Sequence, residues 1–388
     1  MNVPVVIVAY NRPDSLARLL GSLARARHPR KTRLIISVDG GAGNEETVRV
    51  ACDFDWKPGE KEIIVREKNL GLKDHVLACA GMAADFGAVI ILEDDLYVSP
   101  FYYEYAMKAV SFYRGDDRVA GISLYSHGFN ETAGFPFVPY HDGSDVFFMQ
   151  VPCSWGQCWT GEQWKNFSAW HEAHRGNDDP LFAALPPNVL RWPATSWKKI
   201  FMAYLADTGR FFAYPRVSLT TNFGDRGTHH RKNSIFQVPL LHGKKTFAFV
   251  KSKDSLAKYD PYCEMLPRIL SALNPALARY DFAVDLYGMK PLAHLAADYA
   301  LTSKKCKSPE LSFGRDMLPL ESGVIGNIRG DDISLARKRN CGEVGSFIRY
   351  RYRKNSDPEL MAYHYSMLAV PGTANPLRKL FALIRRIK

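Results

Sequence analysis

The chain has 388 residues, 46% hydrophobic and 12% aromatic, enough for a sizeable core and a soft expectation of two or three domains. It contains no run of 18 or more apolar residues, which excludes a membrane-spanning helix among them, and its seven scattered cysteines argue against a disulfide framework and for a reducing compartment. With 51 Lys and Arg against 40 Asp and Glu the net charge is +11, a surplus suited to phosphates, anionic lipid or nucleic acid, though no recognised nucleic-acid module occurs.

Met1-Asn2 runs directly into an apolar stretch ending at Val8, with no basic leader and no cleavage site, and reads as a first strand and not a signal peptide. Pro13 opens a helix whose Leu16, Leu19, Leu20 and Leu23 recur at helical spacing. Leu34 to Val38 is the second strand, Glu45 to Cys52 a helix and Glu62 to Val65 the third strand. A helix bearing Val76, Leu77, Ala80 and Met82 then leads to Ala88–Leu92, an apolar, β-branched run that reads as a strand buried on both faces. Ser99 caps a helix starting at Pro100. The βαβαβαβ order predicts a doubly wound, mostly parallel sheet with right-handed crossovers. Neither a G-x-G-x-x-G fingerprint nor a Walker lysine loop is present.

The buried strand runs into Glu93-Asp94-Asp95. Three adjacent carboxylates repel one another unless a cation or hydrogen-bond donors compensate, and a hard divalent ion, which brings phosphates with it, is the natural compensator. A solvated acidic turn is the plainer alternative. Asn11, Asp39, Lys73 and Asp95 each follow a predicted strand on the same edge of the sheet and so converge on one crevice, where open α/β sheets bind ligands. There Asp39 can accept a hydrogen bond from a base imide, Arg12 and Lys73 can meet phosphate, and Asp95 can hold the metal. Asp39-Gly40-Gly41 is otherwise a turn.

Residues 147–230 are aromatic. Trp155-Gly156 in a loop suits stacking on a sugar ring, whereas Trp164 and Trp170 read as core. Cys153 and Cys158 read as structural thiols. Phe211 to Leu219 is a strand, and His229-His230 is a solvated pair or supplies one ligand. Patterning weakens after residue 245. Ser346 to Lys354 alternates arginine with Ile348, Tyr350 and Tyr352, a strand with one basic face. Leu377, Leu380, Phe381, Ile384 and Ile387 form the stripe of a basic amphipathic helix that suits an anionic membrane surface or docks on the protein body.

Pro4 to Leu23, Ser37 to Gly41, Glu45-Glu46-Thr47 and Val89 to Pro100 resemble GT-A glycosyltransferases, notably the N-acetylglucosaminyltransferase I family and, in the acceptor half, bacterial family 2-like transferases with a Ser-Trp-Gly motif. The resemblance covers about residues 3–235. It implies a GT-A fold, a nucleotide-sugar donor with UDP favoured, and Mn2+ or Mg2+; it does not reach residues 245–388, which are expected to form a mixed C-terminal extension. By position it places Tyr10, Arg12 and Asp39 at the base, Glu93 and Asp94 at ribose or diphosphate, and Asp95 with His229 or His230 at the metal. It also implies inversion at the anomeric centre and therefore a carboxylate base. Relatives carry Asp before the tryptophan matching Trp197; here Thr195-Ser196 precedes it, and neither hydroxyl is basic near neutral pH. The replacement candidates, in order, are Asp179, Glu162 and His127.

The expected organisation is a GT-A domain at residues 1–245, with a donor half at 1–125 and an acceptor half at 126–245, followed by an accessory region at 246–388. The expected activity is metal-dependent, inverting glycosyl transfer to a glycan or lipid-linked acceptor in surface polysaccharide synthesis, in the cytoplasm or peripherally on the membrane's inner face. A nucleotidyltransferase is the rival enzyme, but it needs a Gly- and Lys/Arg-rich loop that Ala9-Tyr10-Asn11-Arg12-Pro13 is not. A sugar-nucleotide- or glycan-binding module that has lost its base is the non-enzymatic rival.

Overall fold

The structure is a computed structural model that describes residues 3–175, 182, 184–225 and 236–342. Strands β1 (Val5–Ala9), β2 (Leu34–Val38), β3 (Lys61–Val65) and β4 (Ala88–Glu93) pair in parallel in the order β4-β1-β2-β3. Alternate residues of these strands enter different cores because strand side chains point to opposite faces. Val5, Ile7, Ile36 and Ile90 pack with Leu16, Leu19, Leu20 and Leu23 of helix α1 (Pro13–Arg25). Val6, Val8, Ile35, Val89 and Ile91 pack on the other face with Val76 and Ala80 of α3 (Gly71–Gly81). Helix α2 (Glu45–Asp53) lies between β2 and β3 in the chain. Leu19 is fully buried, and its truncation to Ala would cost about 2–5 kcal/mol.

The sheet extends to nine strands. Beyond β4 comes Gln157–Thr160, antiparallel both to β4 and to β6 (Val119–Ser123). Then come Phe211–Pro215, Val146–Met149 and, at the edge, Lys258–Tyr259. The mostly parallel, helix-covered α/β sheet is the expected fold class. The strand at Phe211 stops at Pro215 and does not run to Leu219; Thr220–Asn222 instead pairs with the short β5 (Leu96–Val98) as a separate ribbon. The helix after Ser99, α5 (Tyr102–Phe112), begins two residues later than expected, with Ser99 Oγ accepting from the Phe101 N–H at 3.1 Å.

Packing on the main sheet continues past residue 245. Phe247 and Phe249 lie against Tyr105 and Phe112 of α5, and Lys258–Tyr259 belongs to the main sheet. A second, four-stranded sheet follows, ordered Phe282–Asp285, Tyr299–Thr302, Ile333–Arg337, Leu311–Phe313. Its Phe282, Val284, Leu301 and Leu335 share one apolar core with Val6 and Ile91. The expected basic strand at 346–354 and helix at 377–388 lie outside the described residues. Among the described residues no helix is long and apolar enough to cross a membrane.

Candidate functional site

The carboxyl ends of β1, β2, β3 and β4 form one edge of the sheet, and the chain leaving each strand there carries Arg12, Asp39, Asn69 or the Glu93-Asp94-Asp95 triplet. Asp94 and Asp95 are buried. Arg12 reaches across from β1, bridging to Asp94 and donating from Nη1 to Asp95 Oδ2 at 3.0 Å. Burial opposes the charge of Arg12, but Asp94 and Asp95 outweigh it and hold the guanidinium more firmly protonated than usual. Burial pushes the Asp94 carboxyl up to about 6 despite Arg12. Burial and then the neighbouring Asp95 push Glu93 up to about 8. One arginine therefore does not fully compensate three carboxylates.

Asp95 Oδ1 is buried and has no hydrogen-bond partner among the described residues. It is a hard anionic oxygen beside Arg12, which suits Mn2+ or Mg2+, ions commonly held by one or two protein carboxylates and completed by phosphate or water. Among the described residues no three metal-ligating side chains already converge as a closed cage. The donor set thus fits an ion carried with a phosphate better than one bound by protein alone.

Asp39 is buried, and its carboxylate is used by backbone: Oδ1 accepts from the Gly40 and Leu70 N–H groups at 2.9 Å each, and Oδ2 from Gly71 at 3.0 Å. It thereby ties the loop after β2 to the start of α3, and Asn69 adds a bond to the Gly40 carbonyl at 2.8 Å. A Cβ at Gly40 would lie 2.5–2.6 Å from backbone atoms of Arg66 and Lys68, so only glycine permits this approach. Tyr10 stands over the same loop, its hydroxyl 3.4 Å from the Ala42 carbonyl. Lys73 is partly exposed in the first turn of α3, 3.6 Å from Asp74.

On the other side of the triplet sits the Trp155-Gly156 turn. It belongs at this edge because Gln157, the next residue, pairs with Ile91. Gly156 has φ +93°, and a Cβ there would meet Thr220 Cγ2 at 2.7 Å. The Trp155 ring is half-buried, 4.8 Å from Tyr125 and 4.5 Å from Phe236 between ring centres. Lys198, in the first turn of the helix Trp197–Thr208, places Nζ 5.2 Å from the centres of both Trp155 and Trp192. Its charge acts on Glu93, His127 and Cys153. Thr195 and Ser196 precede Trp197 in the sequence, but Lys198 is the residue whose charge reaches the crevice. It directly follows Trp197.

Two of the candidate bases lie in different surroundings. Glu162 begins helix α6 (Gly161–Ala173) immediately after a strand that runs antiparallel to β4, with Thr160 beside Ala88. It therefore lies at the opposite edge of the sheet, lining a separate 280 Å3 cavity with Gly87, Arg114 and Asp116. A strand advances about 3.3 Å per residue, so the five steps from Ala88 to Glu93 separate the two edges by roughly 16 Å. His127 does lie on the crevice side, but burial, then Lys198, push it down to about 3, so it is neutral and weakly basic. Asp179, His229 and His230 lie outside the described residues. Asp225, the last described residue before the histidines, is held by Arg18 and by Ser15 Oγ at 2.7 Å. Trp164 and Trp170 pack against the core and Cys153 and Cys158 are buried, as the sequence suggests.

Residues 5–163, which span β1 to the start of α6, match the family model described as glycosyl transferase family 2. An Arabidopsis thaliana protein, alpha-1,3-mannosyl-glycoprotein 2-beta-N-acetylglucosaminyltransferase, is 28% identical over 242 residues, 58% of this chain and 47% of the relative. The chain spans about half the length of that curated relative. Among solved structures, S. aureus TarS 1-349 in complex with UDP-GlcNAc aligns with TM-score 0.39 and 13% identity, covering 59% of this chain and 60% of that one. The mannosyltransferase PcManGT from Pyrobaculum calidifontis, in complex with GDP-Man and Mn2+, aligns with TM-score 0.33 and 11% identity over 56% and 57% of the two chains. Residues 5–163 are thus similar to glycosyl transferase family 2.

Proposed function

We propose that this chain, with its family 2 segment at residues 5–163, is a metal-dependent, inverting glycosyltransferase that moves a sugar from a nucleotide-sugar to a glycan or lipid-linked acceptor. The observation that carries the reading is the buried, unpartnered Asp95 Oδ1 beside Arg12, at the strand edge shared with Trp155-Gly156. In it, Tyr10 and the loop held by Asp39 flank the base, Glu93 and Asp94 face ribose or diphosphate, and Arg12 and Lys73 meet phosphate charge. Asp95, with His229 or His230, would hold the divalent ion, which would supply charge neutralisation for the departing nucleoside diphosphate. Trp155 offers a ring face to the acceptor, and Lys198 sets a cation beside that face.

Inverting transfer needs a base within hydrogen-bond reach of the acceptor hydroxyl. The candidates are, in order, Asp179, Glu162 and His127; Glu162 lines the cavity at the opposite edge of the sheet, and burial lowers the basicity of His127. The role in surface polysaccharide synthesis, and peripheral attachment to an anionic membrane through Leu377–Lys388, belong to the same proposal.

The test is calorimetric titration with UDP-N-acetylglucosamine, the first probe suggested by the plant relative's name, and with GDP-mannose, each with and without Mn2+. Nucleotide binding should require Mn2+ and should be lost in Asp95→Asn, whose folding is followed by circular dichroism. Unchanged affinity in that variant overturns the metal assignment. Tight donor binding with no sugar transfer to any glycan would favour the binding module, and release of pyrophosphate from a nucleoside triphosphate plus sugar phosphate would favour the nucleotidyltransferase.

A further inference from the structure

Seven thiols scattered over the sequence show no pairing motif, yet the fold brings two of them together. Cys306 follows the strand Tyr299–Thr302, and Cys341 follows the turn Lys338–Asn340. They oppose one another as an isolated antiparallel bridge. The Lys307 N–H donates to the Asn340 carbonyl and the Gly342 N–H to the Lys305 carbonyl, both at 2.9 Å. Those flanking bonds make Cys306 and Cys341 a non-hydrogen-bonded pair, the class whose Cα atoms lie about 4.5 Å apart with side chains drawn together. That spacing is inside the range a disulfide spans, about 4.4–6.8 Å. The two Sγ atoms are 3.2 Å apart, while Cys52 is exposed and Cys79, Cys153, Cys158 and Cys263 are buried.

We propose that Cys306 and Cys341 are a redox-active pair that closes to a disulfide on reaction with a low-molecular-weight disulfide, fastening together the two chain segments beside the four-stranded sheet. Cys341 packs against Leu292, Leu295 and Ala300 of that region, so the bond would fix the last described turn onto it. Lys304 sits two residues before Cys306 and forms a buried ion pair with Asp285 at 2.9 Å; the Lys304 charge favours thiolate at both cysteines and that of Asp285 opposes it. The Cys306 S–H donates to Cys341 Sγ, which holds the Cys341 thiol below its usual range and raises that of Cys306. Either thiolate can begin the exchange with the same product, for example that of Cys341. Its thiolate attacks one sulfur of the reagent, forming a mixed disulfide and expelling one small thiolate. Cys306 then loses its proton to that thiolate, attacks Cys341 Sγ and expels the second. Two protein thiols are oxidised to one disulfide, and one reagent disulfide is reduced to two thiols.

The experiment equilibrates the full chain in glutathione buffers of rising oxidised fraction, quenches in acid, alkylates, and maps peptides without reduction. The expected result is a linked Cys306–Cys341 peptide pair and a fall of two in the thiol count, reversed by dithiothreitol and absent in Cys306→Ser. Because the reading is made on the wild-type chain, it does not depend on the variant's folding. If Cys306 and Cys341 remain thiols, or carry glutathione separately, under conditions that modify the exposed Cys52, the proposal is overturned.

Discussion

Arg12 Nη1 donates to Asp95 Oδ2 at 3.0 Å, joining the end of β1 to the end of β4 across 83 residues of sequence. The same guanidinium bridges Asp94, whose side chain is only 3% exposed, so removing it leaves a buried carboxylate without its cation. Arg12→Met should lower stability by about 2 kcal/mol, discounted from a fully buried pair because Arg12 is 25% exposed. Urea denaturation at pH 7 measures this. A midpoint unchanged from wild type would mean that solvent already screens the pair.

Glu321 predicts a pH dependence remote from the crevice. Its carboxyl is buried, accepts from the Tyr259 hydroxyl at 2.8 Å, and is pushed up to about 7 by that burial. Since the folded value lies above the unfolded one, the stability it contributes is complete below about 4.5 and is lost as pH rises through 7. The loss is at most roughly 3 kcal/mol. Glu321→Gln should flatten this part of the stability–pH curve between pH 4.5 and 7.5, read by thermal melts, whereas a curve that keeps its slope would move the titration to another group.

Lys198 faces His127, and its charge contributes to the lowered pKa of that ring. Lys198→Gln should raise the His127 pKa while leaving it below the ordinary value, because burial is the larger cause. Nuclear magnetic resonance titration of the imidazole measures it. A downward shift would show that the two side chains do not face each other.

Gly156→Ala should destabilise the Trp155 turn by about 1–3 kcal/mol, from its positive φ and the 2.7 Å approach to Thr220 Cγ2. Adding Thr220→Ser removes that methyl and should recover only the steric share. Full recovery in the double variant, by denaturant titration, would mean that the backbone conformation costs nothing.

Glu162→Gln should leave sugar transfer at the wild-type rate, since Glu162 lines the cavity at the far edge of the sheet. A loss of transfer with donor binding intact would restore it as a base.

Local pattern alone determined the first four strands, the α1 leucine face and the arrival of Arg12, Asp39 and the acidic triplet at one edge. Buried parallel strands are written as continuous apolar runs, and strand-to-helix alternation sets which ends meet. The direction of Gln157–Thr160 was not legible there, because an antiparallel strand entering a parallel sheet has the same apolar composition as its neighbours. That one reversal brings Trp155 to the crevice and sends Glu162 away from it. Tertiary structure also decided what each polar group does. Asp39 reads as a free acceptor in sequence but is occupied by three backbone N–H groups, and His127 reads as a neutral-range base but loses that basicity on burial. Lys198 beside two indoles and Cys306 against Cys341 depend on contacts between segments distant in the chain, which composition and spacing do not encode.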